Sequence, residues 1–289
     1  MKTILVLTDF SENSKGAAEV AAVLADKMKA EIILFNAFIK MPLAATVDTV
    51  PWPKSYYDRI KAESNKKLET EFARLQKTFS EHHYQPEQIT IKSLNAEGAL
   101  EENVERIIKE KSVALIVMGA RNKKTGNFLF GSNINEVLNK VNCPVLIVPK
   151  SCKALKLKTV IFATDLGAED IGALNWVVGF TEGFKSHIHV SHVQQPDLWI
   201  PDFEKEDRID QFVHQVTKLN AANVSYKTLE GNFIVNELLR FSKEVHADLI
   251  TLMHRKHSLF WRLLHENPCS DLINYQRNLL LIMPEHLKQ

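Results

Sequence analysis

Short, nearly continuous runs of Val, Ile and Leu recur along the chain, separated by stretches whose apolar residues return every third or fourth position. The runs at 4–8, 31–37, 89–94, 113–118 and 144–148 read as strands covered on both faces, since a strand covered on one face would alternate. Between them, Ser11 and Ser14 can cap a helix carrying Ala17, Val20, Ala21 and Leu24. Ile60, Leu68, Phe72, Leu75 and Phe79 form a longer helical stripe, and Glu101 to Glu110 and Ser132 to Val141 supply two more helices. Apolar stripes at this spacing are packing faces. Strand and helix in this rhythm predict βαβ crossovers and a parallel, doubly wound α/β sheet of five strands.

The pattern then repeats. Ile4-Leu5-Val6-Leu7-Thr8-Asp9-Phe10 returns as Val160-Ile161-Phe162-Ala163-Thr164-Asp165-Leu166, and Glu31 to Leu34 returns as His187 to Val190, both 156 positions later. Ile89 to Lys92, Leu115 to Met118 and Val145 to Pro149 return as Val224 to Lys227, Ile250 to Met253 and Leu280 to Pro284, 135 positions later. Matches in one order, separated by a single net deletion, indicate a tandem duplication. The expected domains are 1–150 and 151–289, with the seam near Lys150 to Lys153.

A chain of 289 residues exceeds what one core usually supports, which agrees with two domains. Lys plus Arg total 36 against 35 Asp plus Glu, so no global field holds nucleic acid or an anionic membrane, and neither partner is expected. Cys143, Cys152 and Cys269 are too few and too scattered for a disulfide framework or a paired-cysteine metal knuckle. The opening apolar run is too short for a signal-peptide core, and no uncharged apolar run reaches about 18 residues. A cytoplasmic location is the expectation.

Parallel sheets bind ligands beyond the carboxyl ends of their strands. Thr8 and Asp9 follow the first strand; Met118 and Gly119 end the fourth, followed by Ala120, Arg121 and Asn122 and then Gly131-Ser132-Asn133 at a helix start. Gly119 allows close backbone approach and a positive φ. The free N–H groups of the helix start, the Ser132 hydroxyl and the charges of Arg121, Lys123 and Lys124 make an anion cradle. Asp9 suits an adenine amine or ribose hydroxyls. The alternative stays open at this level: turn glycines, Ser132 as a helix cap, and Asp9 capping the first helix.

These residues resemble the universal stress protein family. The likeness lies in the opening ILVLTDFSENS, in Val117 to Asn122, in Gly131 to Ile134, and in Asn142 to Val148. It extends over the chain as two tandem copies, with the diagnostic motif in the first alone. Two departures stand out: Asn122 replaces the second glycine of the signature, and eight residues, not nine, separate it from Gly131. The resemblance implies two tandem five-stranded domains of the adenine-nucleotide alpha-hydrolase-like type and a stress-response regulator binding ATP or AMP, with Mg2+ accompanying the phosphates. It implies Thr8, Asp9, Met118, Gly119, Arg121, Asn122, Gly131, Ser132 and Asn133 as the contacts. It also implies that such domains pair through the fifth strand, giving an intrachain pseudo-dimer, with a homodimer as a further option.

In the second repeat, His254, His257, Glu266 and Asn267 stand where the first has Gly119, Asn122, Gly131 and Ser132, and Pro268 follows. That copy is expected to keep the fold without the site, although Asp165 retains one contact. Gly126 to Ser132 has a phosphate-loop frame with Ser132 in the essential lysine position, and dinucleotide and hydrolase signatures are missing. The histidine sets His187 with His189, and His254 with His257 and His265, lack spaced acidic or cysteine ligands, so no metal site is expected. His254 to His257, with Phe260, Trp261 and Arg262, reads as a solvated loop leading into a helix, with a basic-aromatic contact patch as the alternative. A binding role without enzymatic turnover is therefore expected. Slow ATP hydrolysis and a nucleotide-free scaffold are the competing readings.

Overall fold

A computed structural model describes residues 2–38, 54–81, 90–120, 132–152, 155–195, 202–219, 221–255 and 278–287. The first repeat gives β1 (Thr3–Leu7), α1 (Glu12–Met28), β2 (Glu31–Phe38), α2 (Lys54–Glu81), β3 (Ile91–Glu97), α3 (Leu100–Glu110), β4 (Val113–Gly119), α4 (Ser132–Lys140) and β5 (Val145–Val148). The second gives β6 (Thr159–Thr164), α5 (Ala168–Thr181), β7 (His187–Gln194), α6 (Asp202–Lys218), β8 (Val224–Glu230), α7 (Ile234–Glu244), β9 (Leu249–His254) and β10 (Leu279–Pro284). The chain is an α/β protein of alternating strands and helices.

The elements fall into two compact units, and β5 belongs to the second. In the first unit the strands run in the order β3-β2-β1-β4, all parallel. Ile4, Leu5 and Val6 of β1 are wholly buried, as the continuous apolar run requires. Helix α1 lies on this sheet through Ala17, Ala18, Ala21, Ala22 and Leu24, small side chains that let helix and strands approach closely. Ser11 caps the helix, its Oγ accepting from Ser14 N, and Lys29 in the left-handed region ends it. Arg74 of α2 holds the buried Glu71 through two nitrogens at 2.6 and 3.1 Å and reaches the carbonyl of Lys15, tying α2 to α1.

In the second unit the order is β5-β10-β9-β6-β7-β8. Every pair there is parallel except β5 with β10, which is antiparallel. Leu146 faces Leu281, its own repeat equivalent, while Ile147 faces Leu280 and Val145 faces Ile282. Read from either strand, the pairing is the same, as in a two-fold interface.

The register corrects the repeat alignment at one strand. Ile32 pairs with Ile91, and its equivalent Ile188 pairs with Val224, so β8 follows β3 by 133 positions and not 135. A slip of two leaves every side chain on its own face, which is why the sequence pattern did not detect it.

Candidate functional site

In the first unit β1 lies between β2 and β4, so the connections change direction at β1 and open a crevice at its carboxyl end. Thr8 N donates to Phe35 O at 2.9 Å, and the buried Thr8 Oγ1 accepts from Phe10 N at 3.0 Å while donating to Ser14 Oγ at 3.2 Å. The chain then turns sharply, with Phe10 at φ +64°. Asp9, exposed between them, accepts from Ser11 N at 3.1 Å and from Ser11 Oγ at 2.5 Å. Its carboxylate therefore braces the turn ahead of the cap, while Ser11 is the cap itself. Below the turn, Asn36 Nδ2 donates to Thr8 O at 2.7 Å and Ser64 Oγ of α2 donates to Asn36 Oδ1 at 2.8 Å, all buried. Lys67 of α2 holds its ammonium 5.9 Å from the centre of the Phe10 ring.

Thr8 and Asp9 end β1, while Met118 and Gly119 end the adjacent β4. Gly119 has a packing role that its sequence alone does not show. A Cβ there would stand 2.5 Å from Asn13 O and 2.8 Å from Ser14 N, both backbone atoms of the first turn of α1. Among the described glycines only Gly98 has a positive φ. Gly119 is thus small because β4 meets α1, and not because the backbone turns left-handed. Arg121, Asn122 and Gly131 lie outside the described residues, as do Lys123 and Lys124. Ser132 and Asn133 begin α4 by backbone, their side chains lying outside the description.

The second unit repeats the turn and then closes it. β6 lies between β7 and β9, Leu166 N donates to Thr164 Oγ1 at 2.9 Å, and Leu166 has φ +64°. Asp170 stands where the first repeat has Ser14 and accepts from Thr164 Oγ1 at 2.5 Å. Arg255, just beyond β9, turns its guanidinium onto this turn: Nη1 is 3.1 Å from Asp165 Oδ1 and Nη2 bonds Asp170 Oδ1, with Glu169 at 4.0 Å. Asp170 is fully buried; that burial, against the Thr164 hydroxyl and the guanidinium, raises its carboxyl to about 6. Gly167 opens α5 without a side-chain cap, and a Cβ there would collide with the guanidinium. His192 Nδ1 lies 3.0 Å from Thr164 O, and burial lowers its imidazole below the ordinary range.

Asp165 is engaged by Arg255, a contact the repeat pattern does not show. Arg255 is not part of a solvated loop, for its side chain is only 13% exposed. Sequence reasoning missed Arg255, Asp170 and the Asn36–Ser64 pair; for Asp170 and the Asn36–Ser64 pair the signal was a polar residue inside or beside an apolar strand or helix face. Glu266, Asn267, Pro268, His257, His265 and Cys269 lie outside the described residues. Cys143 is buried and Cys152 half-buried. Among the described residues no group of three or more His, Cys, Asp or Glu is placed to hold a metal ion, and no helix is long and apolar enough to cross a membrane.

The universal stress protein family model matches residues 1–149. No curated protein matches the chain by sequence. Among solved structures, a universal stress protein from Archaeoglobus fulgidus DSM 4304 is 18% identical with a TM-score of 0.74, and the alignment covers 98% of each chain. A chain from Pseudomonas aeruginosa UCBPP-PA14, provisionally assigned to that family, is 13% identical with a TM-score of 0.57, over 98% of this chain and 92% of that one. At these identities the likeness establishes the fold.

Proposed function

The chain belongs to the universal stress protein family, and on that premise we propose that it is a stress-response regulator binding one adenine nucleotide, ATP or AMP, in its first unit. The observation that carries the proposal is the contrast between two equivalent turns. In the first, the exposed Asp9 carboxylate stands at the switch in strand order. In the second, Arg255 fills the corresponding place and binds Asp165 and Asp170. An acceptor oriented by its own turn suits an adenine amine or ribose hydroxyls, whereas in the second turn Arg255 already occupies the equivalent carboxylate.

Asp9 would bind the nucleoside, Thr8 and Asn36 would fix its turn, and Arg121 with the start of α4 would meet the phosphates. Any Mg2+ would arrive on the phosphates. The symmetric pairing of β5 with β10 supports extending the proposal to an intrachain pseudo-dimer of the two repeats.

Calorimetric titration with ATP tests the reading. We expect one equivalent per chain, weakened about tenfold or more by Asp9→Ala, the loss of a charged hydrogen bond, and unchanged by Asp165→Asn. Two equal sites, or none, would overturn it. Phosphate release above ~0.01 per second would favour hydrolysis over regulated binding, since self-contained nucleotide switches turn over at that scale.

A further inference from the structure

Neither strand-order crevice uses His187 and His189, which lie two apart on β7 and therefore on one face of its sheet. Their rings stand 4.5 Å apart, edge to face. From the adjacent β8, Ser225 places its Oγ 2.9 Å from His187 Nε2 and 3.1 Å from His189 Nδ1. Two imidazole nitrogens thus converge on one oxygen. A hydroxyl carries one proton, so it can donate to only one of the two ring lone pairs; the other ring must present its N–H or go unserved. A cation at that point would serve both lone pairs together.

We propose that His187, His189 and Ser225 form a surface site for a divalent transition ion of the Zn2+ or Cu2+ class, held by two imidazoles, assisted by the hydroxyl and completed by water. Imidazole is the neutral nitrogen ligand these ions prefer. Two features suit the site to that role. His187 is exposed, which gives the ion an entry path. His189 is held from behind by Phe241 of α7, edge to face at 5.5 Å, so one ligand is positioned before binding. Lys227, the nearby cation on β8, is turned over the Phe241 ring at 4.4 Å and paired with Glu244 of α7 at 3.1 Å, which offsets its repulsion of an incoming ion.

The test titrates the full chain with Zn2+ against a competing indicator and records the electron paramagnetic resonance of one equivalent of Cu2+. The expected result is one site preferring Cu2+ to Zn2+, with a two-nitrogen signature. His187→Gln and His189→Gln should each leave one nitrogen and weaken binding more than tenfold. Ser225→Ala should weaken it about tenfold, the usual loss when a partner that orients a ligand is removed. His214→Gln, on α6, should change nothing. Circular dichroism of each variant confirms that its fold is intact. Absence of binding, or binding that survives the His187→Gln/His189→Gln double change, overturns the proposal.

Discussion

Asn36 and His192 occupy equivalent positions 156 residues apart and perform the same task with different chemistry. Asn36 Nδ2 donates to Thr8 O at 2.7 Å, and His192 Nδ1 sits 3.0 Å from Thr164 O, so its proton must be on Nδ1. Each holds the carboxyl end of the first strand of its repeat. A shared constraint has outlasted the identity of the residue meeting it, which marks the Thr-Asp turn as the feature both copies keep.

Asn36→Ala should therefore cost about 1–3 kcal/mol of unfolding free energy, because it strands a buried carbonyl and the hydroxyl of Ser64. Urea unfolding of the nucleotide-free protein measures this. A change below a few tenths of a kcal/mol would show that the hydrogen bond does not hold the turn.

Arg255→Met should destabilise the protein by about 3 kcal/mol or more, almost all of it through Asp170. Asp165 and Glu169 are more than a third exposed, and their ion pairs with Arg255 contribute little. Arg255→Met combined with Asp170→Leu should recover at least half of the loss, since an apolar pair of similar volume replaces a buried ionic one. Failure of the double variant to recover would place the damage elsewhere.

The Asp170 carboxyl has a definite pH signature. Its folded value of about 6 lies above the ordinary 3.8, so the folded protein binds the proton more tightly than the unfolded chain. Wild type should then gain stability relative to Asp170→Asn as pH falls from 7 towards 4, with the difference levelling below that range. Paired denaturation curves at pH 7, 6, 5 and 4 would show this, and a difference of opposite slope would refute it.

Gly119→Ala should destabilise the protein without nucleotide present, by about 1–3 kcal/mol, because its Cβ meets the backbone of Asn13 and Ser14. Thermal unfolding of the nucleotide-free variant checks this. A variant as stable as wild type would mean that α1 can move aside, and any loss of nucleotide affinity could then be ascribed to the site.

The strands were legible because covered parallel strands consist of little but Val, Ile and Leu, as Ile4 to Leu7 and Leu115 to Met118 do. The β2 and β7 pairings were legible too, since their equivalents keep one offset throughout. At β3 and β8 the residues are mixed and mostly half-buried, so a two-residue slip changed no visible pattern. Asp9 could be selected from the end of β1 alone. Arg255 could not, because its contact with Asp165 spans 90 residues of sequence and exists only once β9 lies beside β6. Nor could the packing role of Gly119 be found, since a glycine that admits a ligand and one that admits a helix are identical in sequence.

The pairing of Leu146 with Leu281 also imposes an order of events on the newborn protein. The two residues are 135 positions apart, so β5 leaves the ribosome roughly ten seconds before its antiparallel partner at ordinary rates of synthesis. Throughout that interval one border of Val145-Leu146-Ile147-Val148 is an unoccupied apolar template, the kind of segment that recruits foreign strands. The chain therefore passes through a window in which a chaperone, or a neighbouring nascent copy, can reach β5 before β10 does.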